Sequence, residues 1–142
     1  MQKTLRKIIK SLYTNALARY PHIQAEYTDY YNKNKDGNDV AQLSEAIRKL
    51  SESLEVVCSN PRVAEEQLNM ASINFSYTRN DMEEVRNDLY KLCEQELASL
   101  KKTYPSRTAG MKLPAKAETT PTSLCRTLIS YESYTIGQGM IG

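Results

Sequence analysis

The sequence predicts an all-α fold: an elongated antiparallel helical bundle of three helices, the first kinked, followed by an extended C-terminal arm. Three observations carry this. Apolar residues recur at steps of three and four through the first hundred residues, polar turn signals divide them into three runs, and the composition changes after Tyr104. The organisation expected is therefore a helical bundle over residues 1–104 and an extended linker and C-terminal arm over residues 105–142.

The first run starts near Thr4, a candidate N-cap. It carries Leu5, Ile8, Ile9, Leu12, Ala16, Tyr20, Ile23, Tyr27 and Tyr30 on one face. Pro21 falls inside it, deleting one backbone donor and crowding the carbonyl of Leu17. Because the apolar stripe continues beyond Pro21, a kink is expected there rather than two helices. The run ends in Asn32-Lys33-Asn34-Lys35-Asp36-Gly37-Asn38, where Gly37 is available for a left-handed cap.

The second helix has Asp39 as its expected cap, with Gln42 completing a capping box. Val40, Leu43, Ile47, Leu50, Leu54 and Val57 then form a seam for near-parallel or antiparallel neighbours. Asn60 and Pro61 open a third helix running to about Lys102, with Val63, Met70, Ile73, Tyr77, Val85, Leu89, Leu92 and Leu100 on its face. Ile73, Phe75 and Tyr77 alternate as a strand would, yet one continuous helix is expected past Arg79.

From Pro105 the chain reads as a polar, proline-punctuated linker. It leads to Leu128, Ile129, Tyr131, Tyr134 and Ile136, β-branched and aromatic residues that suit an extended strand. These five are the candidate partner-binding residues. A lone strand cannot satisfy its own backbone, so docking on an edge or groove of a neighbouring copy is expected.

Charge is unevenly distributed. Residues 1–25 hold Lys3, Arg6, Lys7, Lys10 and Arg19 and no acid, net +5; residues 26–97 hold 8 basic and 15 acidic residues, net −7; residues 98–142 hold 6 basic and 2 acidic, net +4. Basic ends around an acidic middle favour packing of copies in a set register. The ten Tyr, against one Phe and no Trp, suit contact surfaces where one end of the ring stays wet.

No catalytic constellation is legible, and no cofactor is expected. His22 is the only histidine, so a two-histidine metal site cannot be assembled within one chain, and a histidine-based triad would have to use His22, to which nothing in the sequence points. Cys58, Cys93 and Cys125 are widely spaced and expected to be free thiols in a reducing cytoplasmic setting, with Cys93 a small core residue. Glu65-Glu66 and Glu83-Glu84 are adjacent in sequence and diverge on a helix. Gly137-Gln138-Gly139 lacks the third glycine and following helix of a phosphate loop. Basic clusters at Lys3–Lys10 and Lys101–Lys116 are able to meet phosphates, but no spacing for sequence-specific nucleic-acid recognition occurs. No apolar run approaches the ~20 residues a membrane span needs.

A helical block followed directly by Tyr104-Pro105-Ser106-Arg107, then Gly110 and a polar stretch, resembles the head–tail adaptor proteins of short-tailed phages. The resemblance covers four contiguous residues and the block-plus-tail layout. It implies a structural, non-enzymatic subunit of a ring that docks on a portal, in a virion, with C-terminal arms reaching neighbours. This chain departs from that family in being shorter. The function expected is thus a structural subunit of a multi-copy assembly, with homo-oligomer and other structural proteins as partners. The alternative is a soluble helical adaptor or chaperone-like protein that binds one protein partner.

Overall fold

The computed structural model describes residues 1–59 and 72–141. Among these it is all-helical, with five α-helices and no strand: α1 (Gln2–Ser11), α2 (Pro21–Asn34), α3 (Val40–Ser59), α4 (Ser72–Thr103) and α5 (Pro121–Ile141). The expected helical class is correct, and the expected count of three helices is not.

The first correction lies at Pro21. Instead of one kinked helix there are two, joined by a π-helical turn (Leu12–Ala16) and a 3-10 turn (Leu17–Arg19). Tyr20 leaves helical geometry altogether, at φ −125° and ψ 76°. The cause is local. Pro21 cannot donate to the Leu17 carbonyl, which is taken instead by the Tyr20 amide at 2.9 Å, while Gln24 N–H restarts the ladder on the Tyr20 carbonyl. The wide π turn rotates the following residues, so Ala16, Leu17 and Tyr20 all turn inward. At the other end of α2, Lys35 closes the helix in right-handed geometry, so no left-handed glycine cap is formed. Asp39 caps α3 as expected, accepting from the Ala41 amide at 2.8 Å, but Gln42 donates its side-chain amide to Asn34 rather than completing a capping box.

The expected start of the third helix at Asn60 and Pro61 lies outside the described residues. From Ser72 the helix runs unbroken past Arg79 to Thr103, the continuity the sequence predicts.

The second and larger correction is the C-terminal segment. The expected extended arm is helix α5, packed against α3 and α4 of its own chain. Leu124, Cys125, Leu128 and Tyr131 recur at helical steps and enter the core, Leu128 at 1% and Tyr131 at 6% exposure. Pro121, expected as a linker residue, is the first residue of the helix, where its missing donor costs nothing. The turn before it is capped reciprocally: Ser123 N–H donates to Thr120 Oγ1 at 3.1 Å and Thr120 N–H to Ser123 Oγ at 2.9 Å. Residues 111–115 are outside any helix, with the Tyr90 hydroxyl of α4 donating to the Pro114 carbonyl at 2.8 Å.

Contacts between elements give the topology. Arg6 reaches Gly37 and Asn38 at one end of the bundle, and Arg19 reaches Asp81 at the other, so α1 runs parallel to α3 and antiparallel to α4. Thr122 meets Glu55, and Tyr104 meets Tyr134, so α5 runs antiparallel to α3 and parallel to α4. One core joins all of them through Leu5, Ile9, Leu43, Ile47, Leu50, Leu54, Leu89 and Leu124.

Candidate functional site

The end of the bundle where α3 finishes and α5 begins holds a cleft of about 350 Å³. The last turns of α3 bring Glu55 and Ser59, α4 brings Arg79, Met82, Glu83 and Arg86, and the cap of α5 brings Thr119, Thr120 and Pro121. Glu55 accepts a hydrogen bond from the Thr122 hydroxyl at 3.2 Å. Burial raises its pKa above the ordinary value of 4.5, the Thr122 bond opposes that, and nearby Glu52 adds to it. Arg86 is ion-paired with Glu83 through one terminal nitrogen, while its Nε is buried without a hydrogen-bond partner among the described residues. The Ser59 hydroxyl is committed to the Glu55 carbonyl at 2.7 Å. The cleft thus offers guanidinium and carboxylate groups beside the buried Met82 and Pro121.

Around this end the surface carries two large apolar side chains, Val56 at 64% and Tyr77 at 51% exposure. Tyr77 is held by Arg19, whose guanidinium lies 5.5 Å from the ring centroid and also pairs with Asp81 at 2.5 Å. Along the outer side of α1, Lys3, Lys7 and Lys10 form an exposed stripe, of which Lys10 reaches Asp36 at 3.4 Å. On α2 the exposed side carries Glu26 and Asp29. Two tyrosines fasten α2 to the first segment, Tyr13 stacking on Tyr31 at 3.9 Å.

The five residues expected to bind a partner fall elsewhere. Leu128 and Tyr131 are core residues of their own chain, and Ile129 and Tyr134 are half-buried. Tyr134 packs edge-to-face on Tyr104 at 5.8 Å. Ile136 lies on α5 among the residues whose side chains are not described. In place of an extended arm, the segment is a helix docked on its own chain.

His22 sits exposed on the first turn of α2 and lines none of these surfaces' clefts. Cys93 is buried as expected, its thiol 3.6 Å from the Leu124 carbonyl, and burial pushes its pKa up to about 12. Cys125 is buried beside it, and burial raises its thiol further. Both are free. The Cys58 side chain is outside the description. Among the described residues no group of three or more His, Cys, Asp or Glu side chains is placed to hold a metal ion, and no helix is long and apolar enough to cross a membrane. The Glu55–Arg86 cleft went unnoticed in the sequence because its members are 31 residues apart and nothing in their local pattern marks them. The Thr120–Ser123 cap falls in the stretch expected as linker, although Thr120, Pro121 and Ser123 together match a helix-start pattern.

Comparison with protein-family models, curated proteins and solved structures finds no match for this chain.

Proposed function

We propose that the chain is a structural subunit of a multi-copy assembly, of the connector type that joins a phage head to its tail, acting through helix faces rather than through an extended arm. The observation that carries the reading is the separation of exposed charge. Lys3, Lys7 and Lys10 stand on α1, in a stretch of 25 residues that holds no acid, while Glu26 and Asp29 stand on the outer side of α2. A patch of one sign and a different patch of the other on the same subunit make a heterologous contact, which closes into a ring when its rotation allows. Tyr104-Pro105-Ser106-Arg107 adds support, since Pro105, Ser106 and Arg107 are exposed in the turn that follows α4. On this reading the place of the protein is the virion and its neighbours are other structural proteins.

A second reading, an adaptor for one protein partner, is favoured by Val56 and Tyr77, exposed at the cleft end of the bundle. Light scattering on the wild type and on the triple variant Lys3→Glu, Lys7→Glu, Lys10→Glu separates the two. The connector reading expects a defined multi-copy particle whose mass drops in the variant while its helical circular dichroism is unchanged. A wild type that stays at 16.2 kDa at every concentration defeats it in favour of the single-partner adaptor.

A further inference from the structure

The outer face of α4 has a charge pattern that complements itself when a second copy lies across it in the opposite direction. On this long helix Asn80, Glu83, Glu84, Asn87, Asp88, Lys91, Glu94, Gln95, Ala98, Lys101 and Lys102 are all exposed, so the face is free along its whole middle. Glu83 and Lys101 are eighteen residues apart, which is five full turns, so they lie on one flank of that face; Glu84 and Lys102 have the same spacing and lie on the other flank. Each flank therefore presents an acid at one end and a base about 27 Å away at the other.

We propose that two copies of this chain pair through α4 about a two-fold axis near residues 92 and 93, antiparallel, with Glu83 opposite Lys101 and Glu84 opposite Lys102 of the second copy. One register serves both flanks, since the Glu83–Lys101 pair centres on residue 92 and the Glu84–Lys102 pair on residue 93, only about 1.5 Å apart along the helix. It also sets Lys91 opposite Glu94 near the axis and Asn87 opposite Ala98, short side chains that let the helices approach. A parallel arrangement would face Glu83 with Glu83 and Lys101 with Lys101, so the pattern selects direction as well as partner. The two-fold repeats every pair, so each favourable contact occurs twice.

The relief of the surface fits this occupant. The α4 ridge is bounded by two clefts, one of about 220 Å³ beside α1, lined by Thr4, Asp88, Lys91, Leu92 and Gln95. The other, of about 310 Å³, is lined by Tyr90, Glu94, Leu97, Ala98, Lys101 and Leu113. Helices pack by seating the ridge of one in the groove of the other. In the second cleft Tyr90, Leu97 and Leu113 supply the apolar area a paired copy covers, inside a rim of Glu94 and Lys101. Within its own subunit Glu83 pairs with Arg86 and keeps a second carboxylate oxygen for the partner's lysine.

This contact rests on the reading that the chain works in multiple copies, and adds an isologous pairing to the heterologous one. The test uses two full-length variants. Lys101→Glu with Lys102→Glu puts acids at both ends of each flank, and Glu83→Lys with Glu84→Lys puts bases at both ends. Native mass spectrometry should show that each variant alone loses the two-fold step, so that its particle mass at least halves while circular dichroism stays helical. Mixed one to one, the two variants should restore the wild-type mass with both chains in every pair, weakening as salt is raised. A wild type larger than a monomer whose mass neither variant changes overturns this interface and leaves the multi-copy reading standing. Loss of mass in both variants without restoration on mixing also overturns it, as damage to the helix. A monomeric wild type overturns both.

Discussion

Leu128→Ala probes the most consequential feature of the fold, the return of the C-terminal segment into its own core. Leu128 is 1% exposed in α5 and belongs to the cluster that α3 and α4 complete. The substitution removes three carbons, each worth about 0.8 kcal/mol of transfer from water, or about 2.4 kcal/mol. A void of about 50 Å³ that fails to collapse adds about 1 kcal/mol at ~24 cal/mol per Å³. The total, about 3.5 kcal/mol, is a large share of the stability of a small domain. With a urea slope of about 2 kcal/mol per molar, the unfolding midpoint should fall by about 2 M. Equilibrium urea denaturation followed by far-ultraviolet circular dichroism reads this directly, with the slope itself unchanged. A midpoint within error of the wild type would refute the reasoning, because it would mean that α5 contributes nothing to the core. The same reasoning predicts that truncation after Ser123 unfolds the bundle instead of trimming an appendage.

Glu55→Gln should change the dependence of stability on pH. The native pKa of Glu55 is raised by burial above 4.5, so the wild type has the full benefit of its protonated carboxyl below that value and loses it as the pH climbs through the native pKa. Gln keeps an acceptor for Thr122 without that loss. The variant should therefore match the wild type at acid pH and gain on it at neutral pH, and parallel melting temperatures across the range would contradict this. Cys93, with its thiol pushed up to about 12, and Cys125, raised further by burial, should both resist alkylation in the native protein at mildly alkaline pH and react fully in urea. Peptide mass spectrometry checks this, and rapid native labelling of either residue would show that α5 opens from α4.

The helical class was legible because Leu43, Ile47, Leu50 and Leu54 keep a step of three and four that no strand tolerates, and all four are fully buried. The continuity of α4 was legible for the same reason, Val85, Leu89, Leu92 and Leu100 holding one face past the ambiguous Ile73, Phe75 and Tyr77. The break at Pro21 was misread because a single periodicity was extended through it. The π turn at Leu12–Ala16 shifts the phase, and only the Tyr20 dihedrals reveal it. The C-terminal helix was missed for a different reason. Its Thr, Ile and Tyr content favours strand on intrinsic preference, and tertiary burial of Leu124, Cys125, Leu128 and Tyr131 overrides that preference. The counter-evidence was in plain view, since Thr120, Pro121 and Ser123 together spell a helix start. The cleft between Glu55 and Arg86, and the opposed charges of α4, depend on which helices become neighbours and which faces stay outside. Neither is a local property of the chain.

The claim at the centre of this account is that the subunit does its work in company with copies of itself. Native mass spectrometry of the full-length protein at physiological salt tests it most directly. One dominant species is expected at an integer multiple, two or more, of the 16.2 kDa chain, persisting on dilution into the micromolar range. A single species at 16.2 kDa over the whole concentration range would contradict it.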